Sequence, residues 1–207
     1  MLVLFCSLAA GMVARGVRPA RPLGPLGAAA SESIAAPDAK AAIERLSAGT
    51  ENGIRASDEA AAEIAALIAG LENANPTADI ATSGLLDGTW QLVYTTTKGS
   101  SAGALGPFVG TVSQIIDLGA GSYVNLVELP LLTGKLGATW DVEGPDTWTV
   151  NFEFIEFFLF GQSVTKKPLT AKGTWEMTYL DSDFRILRAQ GKKDAPPNVY
   201  VLKRRAP

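Results

Sequence analysis

Residues Gly173 to Ala189 read GTWEMTYLDSDFRILRA. Trp175, Met177 and Tyr179 alternate with other residues, Asp181-Ser182 interrupts the alternation, and Phe184 and Ile186 resume it. A period of two sends successive side chains to opposite faces of a strand, so this stretch predicts two antiparallel strands joined by a tight turn. Working outward, the same period recurs in Trp90, Leu92 and Tyr94, and again in Trp148, Val150, Phe152 and Phe154. Glycines, Pro145-Asp146 and Pro196-Pro197-Asn198 punctuate these runs as turns. No helical pattern intervenes, which argues against a parallel sheet. Roughly eight strands with an aromatic-rich face predict a mainly β fold, a closed or nearly closed antiparallel barrel over about residues 86–205. Its interior is either filled by side chains or shaped into one apolar cavity.

Ahead of the strands the period is helical. Residues 39–46 and 58–73 are alanine-rich, and Ile64, Leu67, Ile68 and Leu71 form one apolar stripe. Ser57 is positioned as an N-cap, Asp58 and Glu59 lie in the first turn where the helix dipole favours acids, and Asn75-Pro76 supplies the stop. Two short helices over about 39–73 therefore precede the barrel in a single domain, 32–207.

Residues 1–31 have a different character. LVLFCSLAAGMVA is apolar but too short to span a bilayer, and RGVRPARPLGPLGAAAS carries Arg15, Arg18 and Arg21 with no acid before Glu32. This segment reads as a targeting leader. A signal followed by a transit-like stretch resembles the bipartite leader of algae with secondary plastids; a plain transit peptide with an apolar start is the alternative.

Composition narrows the chemistry. The chain has no histidine, the commonest general base and metal ligand, and its single cysteine, Cys6, belongs to the leader. No metal site or cofactor is expected, and an enzyme would have to work with carboxylates, lysine, serine or tyrosine. Without the three leader arginines, the 18 basic residues fall to 15 against 21 acidic, a net −6. That balance argues against nucleic acid as a partner. Lys203-Arg204-Arg205 is the one basic cluster, read as a solvated chain end.

Four stretches, in order, resemble the plastid lipid-associated proteins, also called plastid fibrillins. They are LENANPT (71–77), LLDGTWQLVYTT (85–96), GTVSQIIDLGAGSYVNLVEL (110–129) and GTWEMTYLDSDFRILRA (173–189), the last followed by NVYVLKR. The resemblance implies a lipocalin-like barrel in a plastid, on plastoglobules, on thylakoids or in the stroma. It also implies association with prenylquinones, carotenoids, fatty acids or other lipids, without catalysis. A carrier with an open interior and a structural coat with a filled barrel both fit.

Candidate residues follow from parity and spacing. Trp90, Leu92, Tyr94, Trp140, Trp148, Phe152, Trp175 and Tyr179 are the candidate cavity walls. Gly88-Thr89-Trp90 resembles the lipocalin Gly-x-Trp, whose tryptophan closes the barrel floor against a late arginine, here Arg185 or Arg188. Asp181, Asp183, Arg185 and Arg188 are expected to form a charge network around the turn, with Asp181 satisfying turn amides. GSSAGALGPFVG (99–110) lacks the Gly-Lys-Ser/Thr ending of a phosphate-binding loop. Its Leu105 and Phe108 are candidates for an apolar lid or a lipid contact. Glu128 and Glu153 have no spacing that makes them an acid/base pair. Phe152 to Phe160 is apolar on both faces and is expected to be covered by the N-terminal helices; left exposed, it would mark a lipid or partner surface.

Overall fold

The computed structural model describes residues 35–191 and 195–205, so the leader expected over 1–31 lies outside the described residues. Helix α1 spans Ala36–Ser47 and α2 spans Asp58–Asn73, and the Ser57 side chain accepts from the Ala60 N–H at 3.2 Å. Ten strands follow: β1 (Gly88–Thr95), β2 (Ala104–Leu105), β3 (Phe108–Val109), β4 (Thr111–Asp117), β5 (Ser122–Glu128), β6 (Leu132–Val142), β7 (Thr147–Leu159), β8 (Gln162–Leu180), β9 (Phe184–Gln190) and β10 (Asn198–Arg204). Strands β2 and β3 pair only with each other. The other eight close in the order β1-β10-β9-β8-β7-β6-β5-β4, with every pair antiparallel and β4 returning to β1. This is the closed antiparallel barrel that the alternating sequence predicts, in the lipocalin-like form that the family resemblance implies.

One apolar cluster fills the inside. It takes Trp90 and Leu92 from β1, Val112 and Ile116 from β4, Tyr123 and Val127 from β5, Ala138 from β6, Trp148 and Val150 from β7, Trp175 and Met177 from β8, Leu187 from β9 and Leu202 from β10. The segment before β1 plugs one end. Ile80, Ala81 and Leu86 join the cluster, the Trp148 Nε1–H donates to the Ala81 carbonyl at 2.9 Å, and the Trp90 Nε1–H donates to the Leu86 carbonyl at 2.9 Å.

A second cluster lies outside the barrel. There Ile43, Ile64, Leu67, Ile68 and Leu71 of the helices pack on Tyr94, Tyr179, Phe184, Ile186 and Val201. Polar groups at the rim fix the helices. Glu72 pairs with Arg188 at 2.7 Å and accepts from the Thr178 hydroxyl at 2.7 Å, while Lys203 reaches Glu44 at 2.8 Å. Beyond α2, Asn75 Oδ1 accepts from the Leu180 N–H at 3.0 Å and the Thr77 hydroxyl donates to the Leu180 carbonyl at 2.6 Å. The LENANPT stretch is therefore the joint that bolts helix to barrel through β8 and β9.

Two β-bulges decide which aromatics face which cluster. The register of β1 on β10 shifts between Leu92 and Tyr94, and that of β8 on β9 between Met177 and Tyr179. An extra residue in one strand reverses the parity of everything after it. Tyr94 and Tyr179 accordingly leave the inward series of Trp90, Leu92, Trp175 and Met177 and turn out to the helices. A third shift, between Phe152 and Phe154 on β7, breaks the face that Trp148, Val150, Phe152 and Phe154 were expected to share.

Trp90 is fully buried where the first strand, the last strand and the plug meet. Trp90→Ala should lower the unfolding free energy by about 3–5 kcal/mol, the usual cost of truncating a large core aromatic, as read by urea titration with circular dichroism. An unchanged midpoint would remove Trp90 from the core.

Candidate functional site

The end of the barrel closed by the plug is a floor. The guanidiniums of Arg204 and Arg185 lie 4.2 and 5.2 Å from the centre of the Trp90 ring. Arg204 also donates to the carbonyls of Ser182 at 2.6 Å, Asp87 at 2.7 Å and Leu85. It is a structural clamp, not the solvated chain end that the basic cluster suggested. Arg185 is the only charged residue among the described ones that is fully buried. It donates to the Gln114 side chain, and its Nε and Nη1 have no protein acceptor. Burial pushes its basicity down to about 10, so it still carries its charge at neutral pH. The sequence left the late arginine open between Arg185 and Arg188; the geometry gives the role to Arg185, shared with Arg204, whereas Arg188 faces outward to Glu72.

Of the eight candidate wall residues, Trp90, Leu92, Trp148 and Trp175 are buried inside, with Trp140 and Phe152 half-buried against them. Tyr94 and Tyr179 are not wall residues, because the bulges turn them outward. Trp140 stacks on Trp148 with ring centres 4.3 Å apart, and Tyr123 of β5 meets Trp175 of β8 edge-on at 4.9 Å. The second contact links two strands with β6 and β7 between them, so ring contacts reach across the interior at this level.

The expected four-residue charge network divides into three separate groups. Asp181 Oδ1 accepts the N–H groups of Asp183 at 3.0 Å and Phe184 at 2.8 Å, closing the β8–β9 turn. Lys40 of α1 bridges to Asp181 and, at 2.7 Å, to Asp183, while the Tyr179 hydroxyl donates to Asp181. Arg185 is inside the barrel, and Arg188 pairs with Glu72 of α2. Burial alone would raise the Asp181 carboxyl, but hydrogen bonds from Lys40, Tyr179 and the Asp183 backbone hold it well below the usual carboxylate range.

The opposite end is the mouth. There the loop after β1 is pinned by the Asn52 side chain, which donates to the carbonyls of Ala102 at 2.9 Å and Gly110 at 3.1 Å. Leu105 packs on the interior cluster, and Phe108 is 63% exposed. Strands β6, β7 and β8 run past the mouth. The expected cover for Phe152–Phe160 is not there, because the helices pack against β1, β8, β9 and β10. Their stripe finds its partner in the outward tyrosines instead. Leu131, Leu159, Phe160 and Val164 are consequently 57, 42, 70 and 57% exposed. Glu128 and Glu153 stand on β5 and β7 with β6 between them, and Glu153 accepts from Thr139 at 3.2 Å. Among the described residues no three His, Cys, Asp or Glu side chains are grouped as a metal would need.

A lipocalin-like barrel with an arginine-backed tryptophan floor, a packed interior and an apolar mouth end defines the structural class. The PAP_fibrillin family model matches residues 38–195, and the chain belongs to that family. It is similar to plastoglobulin-1, chloroplastic, of Pisum sativum, 29% identical over 213 residues that cover 75% of this chain and 58% of that protein. It is also similar to probable plastid-lipid-associated protein 11, chloroplastic, of Arabidopsis thaliana, 30% identical over 115 residues, 53% of this chain and 54% of that one. The chain spans little more than half the length of these relatives. Family and relatives together make it a plastid protein.

Two outcomes test this geometry. Because Asp181 is held below its ordinary value, the stability it contributes is complete above about pH 4, where an unfolded aspartate is ionised, and is lost as the pH falls further. Asp181→Asn should therefore cost about 2 kcal/mol at neutral pH, and the gap to wild type should shrink below about pH 4 in urea titrations. Arg185→Met keeps apolar volume and removes a buried charge that has no carboxylate partner. It also takes the cation from over Trp90 and leaves the buried Gln114 oxygen without its donor, so it should cost about 1–3 kcal/mol in the same assay, and an unchanged midpoint would show that Arg204 alone holds the floor together.

Proposed function

We propose that the protein is a non-catalytic, structural lipid-associated protein of the plastid that attaches to lipid from outside, as a coat does, and does not carry a ligand within its barrel. The observation that carries this reading is the interior cluster, to which all eight barrel strands contribute and which Tyr123 and Trp175 span. A carrier of prenylquinones, carotenoids or fatty acids needs interior volume, and side chains packed from every wall compete for that volume. Apolar surface that the interior does not use is left at the mouth end. The family and the names of the two relatives, a plastoglobulin and a plastid-lipid-associated protein, favour plastid lipid as what that surface meets. A chain without histidine, whose one cysteine lies at position 6, is a poor basis for acid/base or thiol catalysis.

Native mass spectrometry of the protein purified from plastid extract, paired with flotation of the same sample on lipid droplets, tests the reading. The expected result is a protein without a stoichiometric lipid that nevertheless floats. A defined one-to-one isoprenoid or fatty acid would overturn it in favour of a carrier.

A further inference from the structure

The β5–β6 and β7–β8 hairpins end side by side at the mouth, tied by a hydrogen bond from the Phe160 N–H to the Leu131 carbonyl at 2.9 Å. Both tips are apolar and exposed, Leu131 and Phe160 at their ends with Leu159 and Val164 beside them. Leu159 pairs with Gln162, so the β7–β8 turn consists of Phe160 and Gly161 alone, with φ of +50° and +77°. A two-residue turn with both residues left-handed normally takes Asn, Asp or Gly first, because a bulky L side chain is strained there. Phenylalanine at that position costs folding energy and gains nothing from packing, since most of it is in solvent. Backbone strain combined with an exposed apolar ring is what a contact site shows, not a stability device.

Charge identifies what the tip contacts. Across the two hairpin ends, residues 128–137 and 154–168, there are three lysines, Lys135, Lys166 and Lys167, against two acids, Glu128 and Glu156, a local charge of +1 on a chain whose net charge is −3. Lys166 and Lys135 flank the Phe154 ring, at 4.2 and 5.8 Å from its centre, and Glu156 lies 3.9 Å from Lys166. Lys167 is opposite Ile155 on the neighbouring strand. The far end is acidic on balance: Asp79 and Asp87 precede β1, Asp117 ends β4, and Glu143 and Asp146 lie in the β6–β7 turn, five acids against Arg185, Arg204 and Arg205. An apolar tip with a net positive flank behind it, on a body whose other end is acidic on balance, fits a negatively charged lipid surface and orients the barrel end-on to it.

We infer that Leu131, Leu159, Phe160 and Val164 insert into an anionic lipid surface while Lys135, Lys166 and Lys167 pair with its headgroups. This deepens the coat reading and rests on it. The test uses the full chain and flotation on two kinds of vesicle, phosphatidylcholine alone and phosphatidylcholine containing phosphatidylglycerol. Every variant keeps the same N-terminal segment, so differences between variants report on the tip.

Wild type should bind the anionic vesicles at least about tenfold more tightly, and the preference should fade with added salt. Phe160→Asn places a preferred residue in the turn, so its unfolding midpoint should be equal or higher while binding to both vesicles falls by about tenfold. Lys135→Gln, Lys166→Gln and Lys167→Gln together should abolish the anionic preference and leave the weaker neutral binding. Equal binding of wild type to both vesicles, or unchanged binding by Phe160→Asn, would overturn the tip assignment while leaving the coat reading in place. Failure of wild type to float on either vesicle or on lipid droplets would overturn both.

Discussion

Trp90 has a guanidinium from each of the last two strands over its ring, and the rest of the barrel is arranged around that contact. A guanidinium over an indole keeps the cation electrostatically satisfied while closing an apolar interior. Arg204 brings the end of the chain there, Arg185 brings the strand before it, and the indole N–H holds the segment that plugs the floor. The carbonyls of Leu85, Asp87 and Ser182 converge on Arg204, so the entry to β1 and the β8–β9 turn are fastened at the same point. Closure of the sheet, β1 against β10, follows from this local meeting of first and last strands.

Closing and filling the barrel leaves the protein with an asymmetric surface. The helices cover one side through a stripe of isoleucines and leucines, and at the floor end acids outnumber the arginines. Leu85 and Val142 near the floor and Phe108 on the loop after β1 are exposed, but the largest group of exposed apolar side chains among the described residues, Leu131, Leu159, Phe160 and Val164, lies where the β5–β6 and β7–β8 hairpins end. Strand length is the physical origin of the proposed contact site: β8 has 19 residues and β9 has 7, so among the described residues the outer part of the β7–β8 hairpin has no strand beyond β8 to cover it. From residue 162 to 173 the free edge of β8 carries Lys166, Lys167, Pro168 and Lys172, residue types that discourage pairing with another strand. The edge is guarded, and the tip is left bare.

Much of this was legible in the sequence because it is local. Period-two runs of aromatics gave strands, the Ser57 cap and the alanine-rich stripe gave α2, and the order of the motifs gave the family. The same local logic misplaced Tyr94 and Tyr179. Parity counts residues, and a bulge adds one that only the partner strand reveals, so two tyrosines assigned to the interior instead face the helices. Phe154 was misread for the same reason. Arg204 looked like a free chain end because its indole lies more than a hundred residues earlier in the chain, and a contact of that separation leaves no pattern in a short window. Arg188 looked like part of the turn until α2 supplied Glu72.

The sequence by itself determined the fold class, the helix bounds near 58–73, the floor tryptophan and the poor prospects for histidine or thiol chemistry, because each depends on residue type or short-range spacing. Only the tertiary structure decided which cluster each aromatic joins, which arginine faces inward and whether the phenylalanine-rich strand is covered. Those outcomes depend on register shifts, on unequal strand lengths and on where the helices dock, and all three are set by partners distant in the chain.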